Sequence, residues 1–245
     1  MQLTYGLLFH GQSVVINAAF EFPCVEVHAD DIEVAQHDHR YITRHIDAEH
    51  VPDGFSLTPL RQILAQLPVG KFEQIARALQ LLEWKKTHRF CGCCGSPMQP
   101  HPNGEMAMAC TSCEHHAYPR INPCVIVAIT RGQEILLARS HRFHIPMFST
   151  IAGFVEVGET LEQTVHREAF EEVGVKLKNL QYVGSQPWPF PSNLMIGFVA
   201  EYDSGELVLQ EDEIAEAAFF PFDDLPLIPP KGSIAHLLIQ HAIGR

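Results

Sequence analysis

The chain has 245 residues, 46% of them hydrophobic, enough for one large domain or two modest ones. Its formal net charge of -12 excludes a broad, sequence-blind grip on nucleic-acid phosphates, so a nucleic-acid substrate would have to be recognised at an end or a single nucleotide. No apolar run approaches the roughly 20 residues of a membrane span, and the N-terminus lacks the basic start and apolar core of a secretory signal. A cytoplasmic location is therefore expected, and the seven cysteines read as thiols or metal ligands rather than disulfides.

In chain order, Leu3–Phe9 and Ser13–Ile16 have the alternation of strands joined at His10-Gly11-Gln12. His37, His39, His45 and His50 follow at irregular spacing among charged neighbours, the pattern of a solvated surface rather than a metal site. Thr58-Pro59 predicts the start of a helix through Leu67, and a second helix is expected from Lys71 to Trp84 with Lys85-Lys86 at its end.

Cys91-Gly92-Cys93-Cys94-Gly95 comes next, and fifteen intervening residues separate Cys94 from Cys110-Thr111-Ser112-Cys113. Two Cys-x-x-Cys turns at that separation predict a zinc ribbon, each turn presenting two thiolates to a tetrahedral ion. Cys91 and Cys94 give the two-residue gap, which leaves Cys93 as a bystander, and Gly95 permits the turn that aims amides at sulfur. With all four positions filled, this Zn²⁺ would be structural.

Beyond Tyr118, Val125–Ile129 and Glu134–Ala138 flank Arg131-Gly132-Gln133 as a hairpin. Gly153 and Gly158 then punctuate a loop, and Thr160 with Gln163 makes a capping box. Leu161, Val165, Ala169 and Val173 form the apolar stripe of the helix that follows, and Gly174 stops it. On another face Glu168, Glu171 and Glu172 stand three and four apart, so their carboxylates repel one another. Such crowding suits a hard, oxygen-seeking cation, Mg²⁺ or Mn²⁺. About ten residues further on lies Ser185-Gln186-Pro187-Trp188-Pro189-Phe190-Pro191-Ser192-Asn193, whose alternating prolines stiffen a loop bearing two rings suited to stacking on a planar group. Leu194–Tyr202 reads as a strand, and Ser233 caps a closing helix carrying Ile234, Leu237, Leu238 and Ile239.

The run from Gly153 to Val175 resembles the signature of the Nudix hydrolases, with Gly153, Glu159, Arg167, Glu168, Ala169, Glu171, Glu172, Gly174 and Val175 at its fixed positions. The resemblance implies an α+β chain: a Nudix α/β/α sandwich over 118–245, a zinc ribbon over 86–117 and a smaller N-terminal α/β domain over 1–85. It also implies that Glu168, Glu171 and Glu172, with the Ala152 carbonyl, hold Mg²⁺ or Mn²⁺, with Glu172 or Glu171 activating water. Glu159 and Arg167 read as a brace between loop and helix.

The proline run is similar to the Ser-Gln-Pro-Trp-Pro-Phe-Pro-x-Ser hallmark of the NADH pyrophosphatase branch, with Asn193 in place of the final Ser. That branch implies hydrolysis of NAD(H) to nicotinamide mononucleotide and AMP, removal of NAD caps from RNA, and a homodimer. By the same resemblance Glu213 is the additional metal-binding glutamate, with Glu216 as its rival. Gln186 through Asn193 contact substrate, Tyr118 and Phe154 sandwich nicotinamide, Ala235 offers a backbone contact, and Glu105 and Arg61 touch ligand. For Arg61 an ordinary surface arginine is an equal alternative. The competing functional readings are a Nudix pyrophosphatase for other nucleoside diphosphate derivatives, and a non-catalytic NAD-binding zinc-ribbon module.

Overall fold

The computed structural model describes residues 3–36, 39–68, 70–141 and 145–244. The chain divides into two compact units, Met1–Ile121 with Pro187–Ser192, and Asn122–Gln186 with Asn193–Arg245. No helix among the described residues is long and apolar enough to cross a membrane.

In the first unit, β1 (Thr4–His10) and β2 (Ser13–Ile16) form the expected hairpin, with Gly11 at φ 58° in the turn. With β3 (Ile32–Gln36), β4 (Arg40–His45) and β5 (Ser56–Pro59) they make a sheet ordered β3-β4-β1-β2-β5, in which β1 and β4 run parallel. Thr58 and Pro59 therefore end a strand instead of starting a helix. Pro59 lies opposite Ser13 on the edge strand, where its missing N–H breaks no ladder. Helix α1 begins one residue later, spans only Leu60–Ile63, and tightens into a 3-10 turn over Leu64–Gln66. Helix α2 (Lys71–Thr87) outruns the expected end by three residues, and there Lys85 Nζ donates to the Asp30 carbonyl and Thr87 Oγ1 to that of Glu83. Its Ile75, Leu79, Leu82 and Trp84 pack with Leu7, Phe9, Val14 and Ile16 in one core. The cysteine segment adds a small sheet of β6 (Met98–Pro100), β7 (Met108–Cys110) and β8 (His116–Ala117).

The second unit is built on β9 (Asn122–Arg131), joined through Gly132 to β10 (Glu134–Ser140) as predicted. β11 (Ile151–Phe154) pairs antiparallel with β9; β12 (Lys176–Trp188), β13 (Asn193–Ser204) and β14 (Ile214–Pro221) complete the order β12-β13-β9-β10-β14, with β13 parallel to β9. β12 runs on through Ser185–Trp188, a stretch whose prolines read as loop; on an edge strand Pro187 removes no central hydrogen bond.

Side chains alternate along β9. Val125, Val127 and Ile129 pack with Val165, Ala169 and Val173 of α3 (Leu161–Val173), while Ile126 and Ala128 pack with Ile234, Leu238 and Ile239 of α4 (Ile234–Ala242). One helix on each face of a mixed sheet is the expected α/β/α sandwich. Both predicted N-caps form: Thr160 Oγ1 accepts from Gln163 N in a full capping box, and Ser233 Oγ accepts from His236 N.

Leu238 is fully buried between α4 and the sheet. Leu238→Ala should cost about 2–5 kcal/mol in urea unfolding, and a loss below about 1 kcal/mol would contradict this packing.

Candidate active site and metal centre

The loop before α3 and the helix itself are joined by one arginine. Arg167 Nε donates to Glu159 Oε1 at 2.6 Å, and Nη2 to Glu159 Oε2 at 2.9 Å and to the Phe154 carbonyl at 2.8 Å. Nη1 donates to Glu168 Oε1 at 2.8 Å and Glu171 Oε2 at 2.9 Å. All five N–H donors of the guanidinium are used. The expected brace is present, and it reaches further than the Glu159 pair. Bonding to Arg167, then to the Glu156 N–H, draws the Glu159 carboxyl down to about 2.

Glu168 is half-buried, and its carboxylate lies where a side chain on residue 153 would project, so any Cβ there would collide with it. This close approach, rather than a positive φ, is what requires Gly153. Glu172 is 6% exposed and has no arginine. Burial first, and then the charges of Glu168, Glu213 and Glu171, push its pKa up to about 8. Burial also raises that of Glu168, against the pull of Arg167. Four carboxylates, one of them buried and resisting ionisation, are a donor set suited to a hard dication. Arg167 holds two of them, and the glutamate oxygens are not among the groups of described residues that converge within 4.8 Å.

Glu213 bears electrostatically on both Glu168 and Glu172, whereas Glu216 sits opposite Arg139 and pairs with it at 3.4 Å. This favours Glu213. Ala152 lies on β11 opposite Ile126. The sequence reading missed Cys124, which faces Phe154 across the ladder. Burial and the charges of Glu168 and Glu172 push its thiol up to about 12. A cysteine inside an apolar strand carries no signal of that neighbourhood.

The thiols of Cys91, Cys94, Cys110 and Cys113 converge within 4.8 Å of one another, and Cys93, exposed, is not part of the cluster. Sulfur separations of 3.8 Å (Cys91–Cys113) and 3.5 Å (Cys94–Cys110) match the edge of about 3.8 Å expected of a tetrahedral Zn–S₄ centre. The Cys93 amide donates to Cys91 Sγ, and the Ser112 and Cys113 amides to Cys110 Sγ, so the turns support thiolate charge. The cluster fits a structural Zn²⁺. Of the four histidines, His37 lies outside the described residues, His39 meets Tyr5 edge-on, His45 is exposed, and His50 stands with Asp47 and Glu49 on the surface.

The aromatic run is held within the first unit. Trp188 and Phe190 meet edge-to-face at 5.2 Å, Trp188 also approaches Phe72, and the Arg61 guanidinium lies 3.9 Å from the Phe190 ring centre. Arg61 is thus a stacked arginine. Pro189, Ser192 and Asn193 are buried, Pro187 is partly buried and Pro191 exposed; Asn193 Oδ1 accepts from Asn122 Nδ2. Tyr118 is exposed, with its hydroxyl 3.5 Å from Glu105 Oε2. Phe154 is exposed, and Ala235 lies in the first turn of α4. Gln186 uses both ends of its amide on residues 232–234.

Residues 120–240 match the NUDIX domain and residues 86–118 the NADH pyrophosphatase zinc ribbon domain. A protein of Citrobacter koseri described as NAD-capped RNA hydrolase NudC is 52% identical over 76% of this chain and 71% of its own length. The chain belongs to the Nudix hydrolase family. A protein of Salmonella typhi with the same description is also 52% identical over the same shares. The crystal structure of a Nudix hydrolase from Nitrosomonas europaea superposes with a TM-score of 0.55 at 20% identity, covering 64% of this chain and 90% of that one, which supports the fold. As a Nudix hydrolase the chain uses Mg²⁺ or Mn²⁺ in addition to the zinc of its ribbon.

Two outcomes follow from this geometry. Cys94→Ser should lose the zinc found by elemental analysis of the purified protein, and Cys93→Ser should keep it; loss in both would refute the register. A carboxyl whose pKa rises from 4.5 unfolded to about 8 folded stabilises the fold below pH 4.5, and that contribution fades as pH rises towards 8. In protein carrying zinc but no Mg²⁺, the melting temperature should therefore fall more between pH 6 and 8.5 than in Glu172→Gln. Added Mg²⁺ should restore the wild type alone; parallel curves would argue against the buried charge.

Proposed function

We propose that this Nudix hydrolase splits the pyrophosphate of NAD(H) with water, releasing nicotinamide mononucleotide and AMP, and that the same reaction on an RNA beginning with NAD leaves a 5′-monophosphate end. The observation that carries the hydrolytic half is Glu172, buried among three further carboxylates with its proton affinity raised. The choice of NAD is supported by the zinc ribbon, by the Ser185–Asn193 run, and by relatives described as NAD-capped RNA hydrolases.

A divalent ion on such a set supplies charge neutralisation for the pyrophosphate oxygens and lowers the pKa of water. The chain's own part is to hold and orient. We assign Glu168, Glu171, Glu172, Glu213 and the Ala152 carbonyl to holding the ion. Arg167 holds the carboxylates of Glu168 and Glu171 in place and, through the Phe154 carbonyl, ties them to the loop beside Gly153. Glu172, the buried carboxylate of the set, is assigned the proton of the attacking water; Glu171 is its rival for that role. Tyr118, Phe154, the 187–193 run, the Ala235 amide, Glu105 and Arg61 are assigned to substrate. A cytoplasmic homodimer completes the reading.

Purified protein with NADH and Mg²⁺ or Mn²⁺ should yield nicotinamide mononucleotide and AMP by chromatography, and NAD-started RNA should yield 5′-monophosphate RNA. Consumption of another nucleoside diphosphate derivative with NADH untouched would sink the substrate assignment. Glu172→Gln should lower kcat by roughly 10²-fold or more with its circular dichroism unchanged, and near-normal turnover would remove Glu172 from the mechanism.

A further inference from the structure

The last carbonyls of a helix have no partner inside it. At the end of α3, Gly174 N donates back to the Phe170 carbonyl at 2.9 Å and Val175 N to that of Ala169 at 3.3 Å. The final two carbonyls, of Glu172 and Val173, are taken by the segment 205–213 that joins β13 to β14. Gln210 N donates to the Glu172 carbonyl at 3.0 Å, and Val208 N to the Val173 carbonyl at 3.1 Å. The Gln210 carbonyl in turn accepts from Glu213 N at 3.0 Å and Ile214 N at 2.9 Å. Through its two backbone groups, Gln210 therefore links the main chain at Glu172 to the main chain at Glu213. The Glu213 carbonyl accepts from His141 N at 3.2 Å, just past β10. Ser140 lies opposite Ile214 and Arg139 opposite Glu216, so Ala215 is an extra residue and β14 bends as it leaves Glu213.

We infer that residues 205–213 form a backbone strap that positions Glu213 for the ion, and that Gly205 is the positioning residue that lets the strap close on α3. The inference rests on the proposed function for what Glu213 holds. Gly205 has φ 109°, and a Cβ on it would stand 2.5 Å from the Gly174 carbonyl; one on Gly174 would stand 2.7 Å from the Glu206 carbonyl. Each contact is backbone on backbone, so neither side can yield by turning a side chain. Helical spacing fixes Glu168, Glu171 and Glu172 relative to one another, whereas Glu213 comes from outside the helix and must be carried to them. Its charge opposes those of Glu168 and Glu172, so the strap's bonds hold it against that repulsion. Capping alone would not need the strap, because water can satisfy carbonyls at an exposed helix end. Nor does the connection require it, since a chain passing β9 and β10 to reach β14 could cross clear of α3.

The test uses zinc-loaded protein and Mn²⁺, with unbound Mn²⁺ read by electron paramagnetic resonance. Gly205→Ala forces the strap from α3, and Gln210→Pro, at an exposed position, deletes the donor to Glu172 while keeping the carbonyl for Glu213. Before Mn²⁺ is added, hydrogen exchange over residues 205–213 should quicken about fivefold or more in each, the loss expected of one hydrogen bond. The Kd for Mn²⁺ should rise roughly tenfold in each, but by less than about twofold when either change is made in a Glu213→Gln background. Equal losses with and without Glu213 would make the strap a general prop of the helix and overturn the inference, as would quickened exchange with unchanged Kd. Should neither variant fold, the wild type decides. Saturating Mg²⁺ should slow exchange at Val208 and Gln210 there and not in Glu213→Gln, and no slowing in the wild type overturns the inference. Glu213→Gln with a wild-type Kd refutes both the Glu213 assignment and the strap's role. A wild type that gives the expected Mn²⁺ results and leaves NADH intact refutes the proposed substrate and supports the strap.

Discussion

One guanidinium among carboxylates is the constraint on which the second unit depends. Helix α3 carries Glu168, Glu171 and Glu172 within two turns, and the loop before it adds Glu159. Left to themselves these charges would unwind the helix and push the loop away. Arg167 answers three of them and the Phe154 carbonyl with its five donors, in a planar fork that a lysine could not reproduce. Glu172 is the one it does not reach. The result is a charge balance met at Glu159, Glu168 and Glu171 and unmet at Glu172 on the same face of the helix, and a dication there would offset the charge that Arg167 leaves.

The sheet supplies the rigidity that this arrangement needs. Because β9 is buried on both faces, each helix docks by its own set of alternate residues, α3 through Val165, Ala169 and Val173, and α4 through Leu238 and Ile239. β11, paired to the same strand, sets Gly153 against Glu168 to within the thickness of a missing methyl group. On the other face, β12 delivers Gln186 to the start of α4. The start of α3 is held by its own Thr160–Gln163 box and that of α4 by a side chain from β12 as well, which is how a helix terminus resists fraying.

The first unit follows a different logic. Its cysteine turns are local devices in which two short knuckles each point amides at sulfur, so a small sheet of three short strands can be held by a metal instead of a large core. Its aromatic cluster is the opposite case. Trp188 and Phe190 arrive from far along the chain and are ordered by one another, by Phe72 and by Arg61.

What the sequence by itself determined is what depends on short range. The Thr160 capping box, the Ser233 cap, the hairpin at Gly132, the apolar stripe of α3 and the Cys91–Cys94 register are all set by residues a few positions apart, so spacing reads them directly. Tertiary structure alone decided the rest. Thr58-Pro59 looks like a helix start until β2 offers it an edge to pair with. The start of the proline run, Ser185–Trp188, looks like loop until β12 takes it as edge strand, and the exposed Arg61 reads as a surface arginine with no sign that the Phe190 ring lies beneath it. The depth that raises Glu172 to about 8, and the double bond of Gln186 to residues 232 and 234, involve partners distant in the chain. Burial and long-range pairing are properties of the packed chain, and no local pattern encodes which distant group will complete them.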